Sequence, residues 1–247
     1  MGDSWPGRIG RAITGLFVPD ACASCGGGLP RGGAGQLCAT CGDRIERVVA
    51  PWCTVCGVPS SADLSGHKAG ICLRSCGPRA FDEARSYGLQ TGLLRDLITR
   101  LKYGQELALG EPLGRLVFAG AQEHFVVQDY EAVVPVPLHP TRQRERGFNQ
   151  AFLIARPLAR EARIPIVHAL QRNVATTPQV GQSGESRPIN VRGAFSLSPR
   201  AKEKVGKRNV LLIDDVMTTG STAHEAARVL KRAGATRVDV ITLARAP

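Results

Sequence analysis

Residues 210–222 read VLLIDDVMTTGST, and the fold class turns on them. Val210 to Ile213 form an unbroken apolar run without alternation, the pattern of a strand covered on both faces, as in a parallel sheet between layers of helix. A strand is expected over 208–214, then a turn, then a helix over 222–233 stopped by Gly234. Ligands of open α/β sheets bind beyond the carboxyl ends of the strands, which places Asp214 and Asp215 at a candidate site. The hydroxyls of Thr218, Thr219, Ser221 and Thr222, the first amides of the helix and its positive end together suit a phosphate. Gly220 lets the backbone come close, and Thr222 and Glu225 have capping-box spacing. A carboxylate beside a phosphate needs another partner, either a sugar diol or a bound Mg²⁺. The stretch therefore suits a phosphorylated ribose. It is neither a G-x-x-x-x-G-K-[ST] loop nor a G-x-G-x-x-G turn.

Outward from this stretch, strand and helix alternate from Phe81 onward. A strand is expected over 84–90, and a helix over 91–102 with Leu93, Leu94, Leu97, Ile98 and Leu101 on one face. A second helix over 106–125 is weakened by Pro112. Residues 130–138, YEAVVPVPL, read as a buried strand closed by prolines. From about 148 a helix is expected with Phe148, Ala151, Phe152, Ala155 and Ala159 on one side, and Pro157 should kink or split it. Residues 173–190 form a long polar loop of the kind that serves as a lid. A last strand spans 237–244. The expected fold is α/β, a parallel sheet wound on both faces in residues 81–247, preceded by a small module in 1–80.

That module holds all eight cysteines, spaced as Cys22-x2-Cys25, Cys38-x2-Cys41, Cys53-x2-Cys56 and Cys72-x3-Cys76. Two such knuckles complete a four-sulfur tetrahedral site, which gives two structural Zn²⁺ sites. Gly26, Gly42, Gly57 and Gly77 follow the second cysteine of each pair, where a tight turn can aim amides at the sulfurs. The economical grouping is Cys22, Cys25, Cys38 and Cys41 on one ion and Cys53, Cys56, Cys72 and Cys76 on the other; an interleaved grouping is the alternative. Closed tetrathiolate sites have no open position for chemistry, so the module is structural or a docking surface.

The formal net charge is +11, and residues 139–208 hold 14 basic against 4 acidic side chains. That segregation points to an anion site. Residues 8–23 imitate a signal peptide, but cleavage there would remove Cys22, and Pro19-Asp20 fits a helix end better. No run approaches the ~18 apolar residues of a membrane helix, so a soluble, cytoplasmic protein without membrane insertion is expected.

VLLIDDVMTTGST resembles the phosphoribosyl-pyrophosphate (PRPP) signature of type I phosphoribosyltransferases. PVPLHPTRQRERGFNQ (135–150), the later TTPQ, and Arg187 with Asn190 before GAF resemble the ComF competence family, whose members carry an N-terminal zinc-binding module. The resemblance implies that Asp214 and Asp215 bind ribose hydroxyls and Mg²⁺. It implies too that Thr218, Thr219, Gly220, Ser221 and Thr222 hold the 5′-phosphate. The turn with Pro137, Leu138 and His139 would be the pyrophosphate loop, and 173–190, with Thr177, Gln179, Arg187 and Asn190, the flexible lid. The glycine-rich VGQSG in that lid departs from the family pattern.

Arg142, Arg144 and Arg146 alternate with Gln143 and Glu145, so in an extended loop the three guanidiniums face one way and match a pyrophosphate. The implied reaction is phosphoribosyl transfer from PRPP to a nitrogen acceptor. The competing reading is a non-catalytic competence protein that senses a nucleotide and binds single-stranded DNA, with a competence helicase as a further partner. Its weakness is the scarcity of aromatics for base stacking. His139 neighbours the loop without a clear role as base, and acceptor specificity is expected from the lid and from residues 81–130.

Overall fold

The computed structural model describes residues 20–30, 36–59, 67–68, 71–72, 77–174 and 192–246. In chain order they form α1 (Ala39–Asp43), a short antiparallel pair β1 (His67–Lys68) and β2 (Ile71–Cys72), β3 (Ala84–Leu89), α2 (Gly92–Tyr103) and α3 (Gly110–His124). There follow β4 (Ala132–Pro135), α4 (Pro140–Arg146), α5 (Gln150–Ala162), β5 (Leu170–Arg172) and β6 (Phe195–Leu197). The chain closes with α6 (Ala201–Val205), β7 (Asn209–Met217), α7 (Ser221–Arg232) and β8 (Arg237–Arg245).

Four strands make one parallel sheet in the order β3-β8-β7-β4. β7 and β8 are central, which is why VLLI and VITL are apolar on both faces: Leu211, Leu212, Ile213, Val240, Ile241 and Leu243 are fully buried. Each such side chain contributes about 1.5–3 kcal/mol by leaving water. One face packs on α2, α3 and α5 through Leu94, Leu97, Leu113, Val117, Ile154 and Leu158. The other packs on α7, α6 and the β5-β6 hairpin through Ala226, Leu230, Val205 and Phe195.

The cysteine knuckles are part of this core. Cys53 and Cys56 are buried with Phe81 and Ala84, and Gly57, at φ +68, lies so close to β3 that a Cβ would fall 2.5 Å from the Ala84 carbonyl oxygen. At the amino end of the sheet, fully buried Asp239 accepts from the Tyr130 hydroxyl at 2.6 Å, the Glu83 amide at 3.0 Å and Arg237 Nε at 2.5 Å. Burial raises the Tyr130 phenol far above its usual value, and the hydrogen bond to Asp239 adds to it.

Several sequence expectations meet a different outcome. β4 is shorter than 130–138, and β7 runs past 214 to Met217. Pro112 sits in the first turn of α3, where a missing N–H costs nothing, so that helix is not weakened. α5 runs on through Pro157 without a split. The ring is buried against Gly114 of α3, and the packing of the two helices overrides the local penalty. The lid residues Thr177, Gln179, Arg187 and Asn190 lie outside the described residues.

Candidate active site at the carboxyl edge of the sheet

β4 ends at Pro135, opposite Ile213, and β7 continues four residues beyond it. Past that point the backbone finds other partners: the Asp215 amide donates to Asp214 Oδ1 at 2.9 Å, and the Val216 amide to Asp215 Oδ1 at 2.9 Å. The two aspartates therefore lie inside a strand rather than at its tip, and strand alternation turns them apart. Asp214 follows Val210 and Leu212 toward the α7 face, where it lines a small hollow with Thr218, Gly220, Thr222 and Thr242. Asp215 follows Leu211 and Ile213 toward α2, where it is ion-paired with Lys102.

Neither carboxylate is a free anion in this arrangement. Asp214 is set deep among protein atoms with a partial opening into the hollow. Burial and the neighbouring Asp215 charge hold its carboxyl well above the usual range, against the opposing pull of the Asp215 amide. Asp215 keeps 7% side-chain exposure and Lys102 19%, so that pair is formed largely out of water. The repulsion that a carboxylate would exert on a phosphate in the adjoining turn is muted on both sides.

The turn itself is built on Gly220, the N-cap of α7, at φ +76. That left-handed φ is what favours glycine; a Cβ there would also fall 2.6 Å from Met217 Cε, the movable end of a flexible side chain. The hydroxyls of Thr219 and Ser221 lie 2.8 Å apart, and the first amides of α7 have no acceptor within the helix. The expected capping box does not form. Glu225 instead accepts from the Gly193 amide at 2.6 Å and binds Arg228, both of which hold its carboxyl below the usual range. Two residues without a sequence signal complete the turn: Arg79, whose guanidinium donates to the Thr219 carbonyl at 2.9 Å, and His224, whose Nδ1 accepts from the Ala80 amide at 3.1 Å.

The arginine segment departs most from expectation. Residues 140–146 are helical, capped by His139, whose Nδ1 accepts from the Thr141 amide at 3.3 Å, and closed by Gly147 in the left-handed region. At ~100° per residue, Arg142 and Arg146 share a face and Arg144 points away. The three guanidiniums thus do not line up. Arg146 lies 5.3 Å from the Tyr103 ring centre and donates to Gln150 at 2.7 Å, which ties α4 to α2 and α5. Arg172 of β5, at the cleft that follows β4, is another residue that sequence reasoning missed. Burial holds Arg172 below its usual range, Asp214 opposes this, and the Arg142 charge deepens it.

Pro137 and Leu138 follow β4 and form one wall of a cleft of about 720 Å³, bounded by α4, α5 and β5.

In the cysteine module, Cys22, Cys25, Cys38 and Cys41 bring their sulfurs within 4.8 Å of one another. The Cys25–Cys38 separation is 3.9 Å, close to the ~3.8 Å edge of a tetrahedron with Zn–S bonds of 2.3 Å. Cys22 Sγ accepts from the amides of Ser24 at 3.4 Å and Cys38 at 3.3 Å. Burial pushes the Cys22 thiol up, but the amide donors outweigh it and bring it down to about 6. This donor set fits Zn²⁺. Cys53 and Cys56 repeat the knuckle, with the Gly57 amide on the Cys53 carbonyl as the Gly26 amide is on that of Cys22; the side chains of Cys72 and Cys76 lie outside the described residues.

Comparison with known proteins agrees with both parts. The phosphoribosyl transferase domain family matches residues 149–247, and the double zinc ribbon family matches residues 13–77. Competence protein F of Haemophilus influenzae is 34% identical over 234 residues, covering 93% of this chain and 99% of that protein. The DNA utilization protein YhgH of Escherichia coli is 33% identical with the same coverage. Competence protein ComFC of Bacillus subtilis is 25% identical over 212 residues, 85% of this chain and 84% of that one. At such identity over nearly the full length of its relatives, the chain belongs to the competence protein F (ComF) family.

Proposed function

We propose that the chain binds PRPP and transfers its phosphoribosyl group to a nitrogen acceptor in a pathway of DNA uptake. The observation that carries this reading is the hollow that joins Asp214 to the Gly220 turn, a carboxyl and a phosphate cradle on one lip of the sheet. The 5′-phosphate sits on the α7 amides and the Thr219 and Ser221 hydroxyls, with Arg79 behind the turn. Asp214 meets the ribose hydroxyls. Arg142 and Arg172 face the pyrophosphate and lower the cost of its departure. Mg²⁺ would be held by pyrophosphate oxygens, water and Asp214, since Asp215 is engaged by Lys102. The cysteine module of residues 1–80 carries two Zn²⁺ sites and braces β3 of the transferase domain in 81–247, in a cytoplasmic protein.

The Lys102–Asp215 pair favours a second reading, because a carboxylate already neutralised is a poor ligand for substrate. In it the chain senses a phosphorylated nucleotide without turnover and binds single-stranded DNA directly through the basic stretch 139–208. Calorimetry with PRPP and Mg²⁺ beside DNA binding over a salt series separates the two. PRPP affinity lost in Asp214→Ala, with release of pyrophosphate when a panel of nitrogen bases is added, supports the enzyme. DNA affinity indifferent to PRPP and falling steeply with salt supports the second reading.

A further inference from the structure

The residues that leave the cysteine module run directly onto the phosphate turn. We infer that Arg79 is a positioning residue for that turn: its guanidinium fixes the Thr219–Gly220 peptide with the Gly220 N–H on the ligand side, so the phosphate site is built jointly by the module and the transferase domain. This rests on the reading above only in taking the group held by the turn to be a terminal phosphate.

The contact itself comes first. Arg79 Nη2 donates to the Thr219 carbonyl at 2.9 Å, across 140 positions of chain. The 219–220 peptide is trans, and in a planar trans peptide the C=O and N–H point to opposite sides. A carbonyl held toward Arg79 therefore turns the Gly220 N–H away from it. The hollow is lined by Asp214, Thr218, Gly220 and Thr222 and not by Arg79, which leaves the guanidinium outside the cradle whose rim is Gly220. That peptide needs holding. Gly220 has φ +76 and no Cβ, so rotation of the peptide before it meets little steric resistance. A flipped peptide would present the Thr219 carbonyl oxygen, the negative end of its dipole, to the anion. The charge-assisted bond from Arg79 opposes the flip.

The segment that carries Arg79 is anchored well enough to act this way. The Ala80 amide donates to His224 Nδ1 in the first turn of α7 at 3.1 Å. Phe81 is buried with Cys53 and Cys56. Asp82 accepts from the Val238 amide at 2.7 Å and pairs with Lys231, in the last turn of α7, at 2.7 Å. Residues 79–82 thus hold α7 at both ends. The Cys53–Cys56 knuckle adds a separate tie, because Arg245 Nη1 donates to the Cys56 carbonyl at 2.8 Å, and Arg245 is the register partner of Met217, from which the turn departs. The module meets the turn by two routes that share no side chain.

Titration of isotope-labelled, zinc-loaded, full-length protein with ribose 5-phosphate, followed by NMR and calorimetry, tests the inference. In wild type the Gly220 amide proton should move downfield as the ligand binds. In Arg79→Met the dissociation constant should rise about tenfold, the effect of losing one charge-assisted bond coupled to the site, and the Gly220 shift should shrink while that of Ser221 persists. Arg79→Lys, which keeps a charged donor, should recover most of the affinity. Arg47→Met is the control: it removes a module contact to Glu123 of α3, on the other face of the sheet, and should bind as wild type does. Wild-type affinity in Arg79→Met overturns the inference, as does an equal loss in Arg79→Met and Arg47→Met. Weakened binding with the Gly220 shift intact overturns it too, since the guanidinium would then be a direct ligand. If wild type binds neither ribose 5-phosphate nor PRPP, the functional reading falls as well, whereas binding of both that is indifferent to Arg79 leaves that reading standing and removes this inference alone.

Discussion

The pair between Lys102 and Asp215 lends itself to a quantitative test. Replacing Lys102 with Met keeps the apolar stem that extends from α2 but removes the ammonium, so Asp215, with 7% of its side chain exposed, is left as a lone buried charge. Breaking a buried pair by deleting one partner costs about 3–5 kcal/mol. Lys102 retains 19% exposure, which lets water compensate part of the loss and points to the lower end, about 3 kcal/mol. For a chain of this size each kcal/mol moves the melting temperature by about 2–4 °C, so the expected fall is roughly 6–12 °C. Scanning calorimetry at neutral pH with zinc kept saturating reads it. Adding Asp215→Asn to the Lys102→Met background should restore most of the loss, since the orphan charge is then gone. A fall worth less than about 1 kcal/mol, or a double variant as unstable as the sum of the singles, refutes the argument that the two side chains neutralise one another out of water.

Other expectations follow from the same geometry. Asp214→Asn should raise the melting temperature at neutral pH while abolishing PRPP binding, because the fold holds this carboxyl above its ordinary range and pays to ionise it; the gain should vanish below the ordinary carboxylate pKa, where both states are protonated. Gly220→Ala should cost about 1–2 kcal/mol from the left-handed φ and weaken phosphate affinity, read by melting and by calorimetry. Burial holds His124 and His224 below the usual imidazole value. Their neutral forms favour the fold, so stability should be full above pH ~6.5 and decline as pH falls through that value; His224→Gln should flatten the decline. Titrating the thiols with a mercurial should release two Zn²⁺ per chain in a colorimetric assay, and Cys41→Ser should leave only one.

The sheet was legible because β7 and β8 are buried on both faces, so their apolar runs carry the signal without help from distant residues. The knuckles were legible for a similar reason: cysteines with two residues between them and a following glycine make a local turn, and Gly26 and Gly57 do take positive φ. The arginine segment misled, although its punctuation was present, with His139 as N-cap, Pro140 in the first turn and Gly147 as the left-handed stop. Alternating charge drew the reading toward an extended loop, while the caps decided for a helix. Pro157 misled in the opposite sense, since its tolerance depends on Gly114 of another helix. The partners that tune the site were beyond any local signal. Lys102 stands 113 positions before Asp215 in the chain, and Arg79 reaches the turn only once the sheet has assembled.

The most direct measurement is a crystal structure of the protein soaked with PRPP and Mg²⁺. The account expects the terminal phosphate on the amides that begin α7, within hydrogen-bond reach of Thr219 and Ser221, and the sugar hydroxyls on Asp214. Density for the ligand elsewhere, with Asp214 still enclosed and the Gly220 turn shut against it, contradicts the account at its root.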